Sequence, residues 1–164
     1  MFFSSSRHPQ GTLTDRGRLK QMSTSTQKLQ ILILCTANSA RSQMAEGLLR
    51  ELVSDRADVY SAGAKPSSVN PDAIAAMRER GIDISGQSSD HLSKYLETEF
   101  DYVITVCDNA AETCPTFPGR AVRIHWSFPD PAAVNGEDDD VQRSFIKTRD
   151  GLERRLQDWL SSLG

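Results

Sequence analysis

Cys35 and Arg41 stand six residues apart, separated by the small residues Thr36, Ala37, Asn38, Ser39 and Ala40 and followed by Ser42. A thiolate is a strong nucleophile, and a guanidinium presents a planar fork of N–H donors to two oxygens of an oxyanion. Small residues between the two let backbone N–H groups close around a tetrahedral anion. A helix that starts at the end of such a loop adds partial positive charge at the same point. That field also favours the ionised form of Cys35. The segment Thr36, Ala37, Asn38, Ser39, Ala40, Arg41, Ser42 is therefore read as an oxyanion-binding loop with Cys35 as its nucleophile.

Such a loop needs a strand before it and a helix after it. Ile31 to Leu34 is a short apolar run rich in β-branched residues, as expected of a parallel strand buried on both faces. From about Ser42, Ala45, Leu48, Leu49, Leu52 and Val53 fall at helical spacing. Val59 to Ser61 reads as a second strand ended by Gly63 and Pro66, and Asn70-Pro71 opens a helix that Gly81 stops. A further helix is expected over Ser89 to Leu96, strands over Tyr102 to Val106 and Ala121 to Trp126, and a last helix burying Phe145, Leu152, Leu156, Trp159, Leu160 and Leu163. Strands separated by helix-length segments imply an α/β domain, with a four-stranded parallel sheet and helices on both faces. Its ligands belong at the carboxyl ends of the strands, where Cys35 lies.

Composition agrees with one globular domain over 29–164. The chain has 164 residues, 38% of them hydrophobic, and a net charge of −3. No aliphatic run approaches the length of a membrane span. The acidic balance gives no field for nucleic acid. Residues 1–28 differ, with five cations against Asp15 and many Ser, Thr and Gln residues. They read as a disordered basic tail, or as residues upstream of a start at Met22; their composition also resembles a transit peptide. Three cysteines form no even disulfide framework, so a reducing, cytoplasmic setting is expected. Glu137 to Asp140 reads as a solvated linker before the last helix, with charge that suits a helix N-terminus.

The run Cys35 to Ser42, CTANSARS, resembles the phosphate loop of the low-molecular-weight protein tyrosine phosphatases and of the arsenate reductases built on that fold. The likeness extends from about Leu29 to Gly164. It implies that Asp130, in the pair Asp130-Pro131, is the distant general acid. One departure is Ala37, where the pattern commonly has glycine; a positive φ there would carry strain. A second is Ala132 after Asp130-Pro131, where the phosphatases typically place a tyrosine that stacks on the substrate ring.

Cys107 and Cys114 decide between the two branches. Cys107 follows the third strand at the sheet edge that holds Cys35, and Cys114 comes seven residues later. No second close pair or nearby histidine makes them zinc ligands. In order and spacing the three thiols match those of reductases that use Cys35, Cys107 and Cys114 in sequence. The resemblance then implies attack of Cys35 on arsenate, resolution by Cys107 with release of arsenite, and transfer of the disulfide to Cys107–Cys114. The polar stretch Asp108 to Thr113 would rearrange to expose that disulfide, with thioredoxin as reductant and no tightly bound cofactor. Alternatives are a phosphatase acting on phosphotyrosine, and a redox sensor whose loop regulates Cys35. By resemblance, Asn38, Glu46, Ser61 and Asp90 match positions that bind a potassium ion in some members; they can equally hold the loop by hydrogen bonds. His91 and His125 read as surface or packing residues, Trp126 and Trp159 as core, and the protein as a monomer.

Overall fold

The computed structural model describes residues 27–108 and 114–164. The basic tail, except for its last two residues, and the stretch 109–113 lie outside the described residues. Four parallel strands form one sheet: β1 (Leu29–Cys35), β2 (Ala57–Gly63), β3 (Tyr102–Thr105) and β4 (Val122–His125), in the order β2-β1-β3-β4. β1 is central, in register with both neighbours, and Ile31 to Leu34 are 0–1% exposed. A strand covered on both faces gains from apolar residues at every position, so the run is continuous rather than alternating.

Three α-helices complete the described domain: α1 (Arg41–Val53), α2 (Pro71–Glu79) and α3 (Asp138–Ser162). They pack on one another over the sheet face that carries Ile33, Ser61 and Ile104 in register. Phe145, Arg149, Leu152 and Leu156 recur along one stripe of α3 and are buried there, and Trp159 meets Tyr102 of β3 edge-on at 5.0 Å. Each large apolar side chain so buried contributes about 1.5–3 kcal/mol of transfer free energy. The opposite face carries Leu32, Tyr60 and Val103. It is covered by the 3-10 turn Leu92–Tyr95 and by an aromatic cluster of Tyr60, Tyr95, Phe100 and Phe117.

Two expectations need correction. A helix over Ser89 to Leu96 does not form; only Leu92–Tyr95 is helical, as 3-10. Tertiary bonds outweigh local propensity here: Asp90 N donates to Asn38 Oδ1 at 2.8 Å, Gly63 N donates to Asp90 O at 3.0 Å, and His91 bridges Gly63. These hold the chain extended beside the end of β2. The acidic run is not a linker. Glu137 caps α3 in a reciprocal capping box with Asp140, and Asp138 to Asp140 form the first turn, where their charge complements the positive end of the helix dipole. α2 begins as its sequence indicates, with the Asn70 side chain accepting from Asp72 N and Pro71 at the first helical position. Gly81 follows its end at φ 90°. Trp126 is buried, and Trp159 is partly so.

Candidate active site

β1 ends on Cys35, and α1 starts six residues later on Arg41, so the intervening loop lies at the carboxyl edge of the sheet. Its carbonyls are turned outward and each is taken. Thr36 O accepts from Lys65 N at 2.9 Å, Ala37 O from Ser67 N at 3.2 Å, Ser39 O from Asn70 N at 2.9 Å, and Asn38 O from Gln43 Nε2 at 2.9 Å. In a planar trans peptide the N–H points opposite its carbonyl, so outward carbonyls turn the loop amides toward its centre. The one positive φ in the loop, 47°, is at Asn38 and not at Ala37. Asparagine tolerates that region, so the alanine in place of glycine carries no such strain.

Asn38 is fully buried and holds the loop through its amide. Its Nδ2 donates to Ser42 Oγ at 2.8 Å and to Ser61 Oγ at 2.9 Å, while Oδ1 accepts from Asp90 N. Ser42 Oγ lies 2.9 Å from Cys35 Sγ. Because the serine oxygen already accepts from Asn38, its own proton is free for the sulfur, which suits a thiolate. Cys35, Thr36, Ala37, Ser39, Ala40, Arg41, Ser67, Asn70, Asp130 and Ala132 line a cleft of about 340 Å³. The Arg41 guanidinium donates to Phe128 O at 2.8 Å, and its other nitrogen is 4.0 Å from Asp130 Oδ2. Asp130 itself caps the 3-10 turn Pro131–Ala133 by accepting from Ala132 N at 3.0 Å. A buried thiol, inward amides, a guanidinium and a carboxyl thus line one cleft with room for an oxyanion. That set can bind a tetrahedral anion, attack its centre and protonate a departing oxygen.

Cys107 is buried, with Sγ 3.4 Å from Thr36 Oγ1, so the second thiol touches the loop directly. Cys114 lies apart in a small cavity of about 130 Å³ with Val103, Thr105, Arg123, Ile124 and His125. Burial pushes its thiol up, partly offset by the nearby Arg123. All three are free cysteines.

Asn38, Glu46, Ser61 and Asp90 do come together. Ser61 Oγ donates to Glu46 Oε1 at 2.5 Å, Glu46 Oε2 pairs with Arg50 at 2.8 Å, and Asp90 Oδ2 accepts from Ser88 Oγ and pairs with Lys94 at 3.5 Å. Burial is the main force pushing the Glu46 carboxyl up. These bonds join the set into a support beneath the loop, with Arg50 and Lys94 as neighbouring cations. No group of three or more His, Cys, Asp or Glu residues able to hold a metal occurs among the described residues.

Sequence reasoning did not single out Ser67 or Asn70 as cleft residues. Their place after a strand's carboxyl end was the available signal. His125 lies near Asp130 in sequence but has no acidic partner at a diagnostic spacing. The structure supplies one, with Nε2 2.9 Å from Asp108 Oδ1. His91 is a surface residue whose ring accepts from Ser93 N.

A four-stranded parallel sheet whose central strand feeds a nucleophilic cysteine into an anion-cradling loop, answered by an aspartate from beyond β4, defines a class of phosphate-handling enzymes. The chain belongs to the low molecular weight phosphotyrosine protein phosphatase family, whose sequence profile matches residues 30–164, and within it to the arsenate reductase branch. It is 46% identical over 127 residues to an arsenate reductase of Halalkalibacterium halodurans, covering 77% of this chain and 91% of that protein. A solved arsenate reductase in its phosphate-binding state superposes with a TM-score of 0.67 at 31% identity, over 83% of this chain and 99% of that one. A thioredoxin-dependent arsenate reductase of Corynebacterium glutamicum gives 0.66 at 26% identity, over 93% of this chain and 71% of that one. No helix among the described residues is long and apolar enough to cross a membrane.

Proposed function

We propose that this chain reduces arsenate to arsenite through a relay of Cys35, Cys107 and Cys114, regenerated by thioredoxin. The observation that carries the proposal is the second thiol. Cys107 Sγ reaches Thr36 of the oxyanion loop at 3.4 Å, and hydrolysis of a phosphate ester has no use for it there. Arsenate, shaped and charged like phosphate, is held by the loop amides and by Arg41, which turns from Phe128 O to the anion. The Cys35 thiolate bonds to arsenic, and Asp130 protonates the departing hydroxide as water. Cys107 then attacks Cys35 Sγ. The arsenic–sulfur electron pair stays on arsenic, which leaves as arsenite, and a Cys35–Cys107 disulfide holds the two oxidising equivalents. Attack by Cys114 on Cys107 frees Cys35 and leaves Cys107–Cys114 for thiol–disulfide exchange with thioredoxin. The names of the relatives support arsenate as substrate, and one of them supports the reductant.

Cleft chemistry disfavours the phosphotyrosine alternative. Among the described residues its lining includes no aromatic side chain, and Ala132 stands where a stacking ring would. The loop and Asp130 still suffice for slow hydrolysis of phosphate esters. The test is arsenate-dependent NADPH oxidation with thioredoxin and thioredoxin reductase, run beside p-nitrophenyl phosphate hydrolysis. Multiple-turnover NADPH oxidation is expected, with weak hydrolysis. Hydrolysis without arsenate reduction would make the chain a phosphatase; neither activity would favour a redox sensor.

A further inference from the structure

The imidazole of His125 stands between the two ends of the segment that carries the resolving thiols. Thr105 and His125 are register partners on β3 and β4, and Thr105 Oγ1 lies 2.7 Å from His125 Nδ1. On its other side Nε2 is 2.9 Å from Oδ1 of Asp108, the residue next to Cys107. Nε2–H can donate to the carboxylate, while Nδ1 meets the threonine hydroxyl, which also donates to Ile124 O at 3.5 Å. The same ring walls the small cavity that holds Cys114. Asp108 is exposed, and hydrogen bonds from His125 and Ser127 hold its carboxyl below the usual range. One ring therefore ties down the neighbour of the first resolving thiol and lines the pocket of the second.

We propose that His125 is a positioning residue for the exchange between Cys107 and Cys114, holding Asp108 beside Cys107 and walling the cavity that receives Cys114. The inference rests on the relay proposed above. In the step concerned, Cys114 sulfur, as thiolate, bonds to Cys107 sulfur. The Cys35–Cys107 bond breaks, Cys35 departs with the electron pair, and the Cys114 proton goes to solvent. No net oxidation occurs. A disulfide needs its Cα atoms within about 4.4–6.8 Å, so loosening Asp108 beside Cys107 makes that geometry rarer. The brace has no part in the first adduct, which needs only the loop, Arg41 and Asp130.

The experiment is a pulse of one equivalent of arsenate without thioredoxin, quenched by alkylation at intervals, with disulfides mapped by mass spectrometry. His125→Ala is expected to form Cys35–Cys107 at the wild-type rate and to pass it to Cys107–Cys114 about tenfold more slowly, the scale of one lost charge-assisted hydrogen bond. Asp108→Ala should do the same, and the double variant should be no slower than the slower single. His125→Gln, whose amide can donate to Asp108, should recover most of the rate. Wild-type transfer in His125→Ala, or equal slowing of both disulfides with no recovery in His125→Gln, would overturn this inference and leave the relay standing. A wild-type protein that never forms Cys107–Cys114 would overturn the relay and this inference with it.

Discussion

Gly63→Ala places one methyl group where the structure has no room for it. Gly63 ends β2 opposite Cys35 in register. A Cβ built there would lie 2.7 Å from Cys35 O and 2.9 Å from Asn38 N, and nearer still to Thr36 O. Ordinary carbon–oxygen contact needs at least about 3.3 Å, so the loop would have to retreat by roughly half an ångström or more. All three obstacles are backbone, and no rotamer relieves them. The strand cannot retreat instead, because Gly63 N is bonded to Asp90 O and the residue bridges His91. Overpacking of this kind costs about 1–3 kcal/mol, or about 3–10 °C in melting temperature for a domain of this size. The displaced atoms carry the anion site, and a misplacement approaching 1 Å can cost about 100-fold in rate. Gly86→Ala is the control, since nothing lies within 4 Å of its added carbon. Thermal melts and calorimetric titration with phosphate should show Gly63→Ala destabilised and at least tenfold weaker in anion binding, with Gly86→Ala unchanged. A Gly63→Ala protein melting within about 1 °C of wild type with full anion affinity would refute the close-approach argument.

Asp130→Asn is expected to keep anion affinity while slowing single-turnover consumption of arsenate at least about 100-fold, as measured by rapid quench; an unchanged rate would move the acid elsewhere. Ser42→Ala should slow alkylation of Cys35 by iodoacetamide about tenfold, because the sulfur loses the hydroxyl 2.9 Å away; equal rates would show that this contact does not govern the reactivity of Cys35. Burial raises the Glu46 carboxyl and Arg50 opposes that rise, so Arg50→Met should raise it further. A carboxyl raised on folding contributes its stability fully below its unfolded value and loses it as pH rises through the folded one. The Arg50→Met loss, about 1 kcal/mol for a half-exposed partner, should therefore appear in urea unfolding at pH 7.5 and shrink toward pH 4; equal losses at both would contradict it.

The loop, its strand and its helix were legible because they are local: Cys35 to Ser42 is one uninterrupted segment, and Ile31 to Leu34 carries its own burial signal. Asn70-Pro71 and Gly81 marked α2 for the same reason. What escaped depends on residues distant in sequence. The sequence places Cys107 at the sheet edge of Cys35, but its contact with Thr36 spans 71 positions, and the Asp108–His125 pair spans 17 without any periodic spacing to announce it. The mistaken helix over Ser89 to Leu96 failed for a tertiary reason: Asn38 and Gly63 draw Asp90 into an extended path, and no local propensity records that. The acidic run misled in the opposite sense. Its cap is local, but four like charges resemble a linker until Glu137 and Asp140 are seen to cap reciprocally.

The relay is tested most directly by counting product and locating oxidised sulfur in one experiment. Wild-type protein, fully reduced and freed of small thiols, is mixed with one equivalent of arsenate, and arsenite and disulfides are quantified together. The account predicts close to one arsenite per chain with the disulfide at Cys107–Cys114, and the same arsenite yield from Cys114→Ser with the disulfide held at Cys35–Cys107. Arsenite formed without either disulfide, or a Cys107→Ser variant that still yields one arsenite per chain, would contradict it.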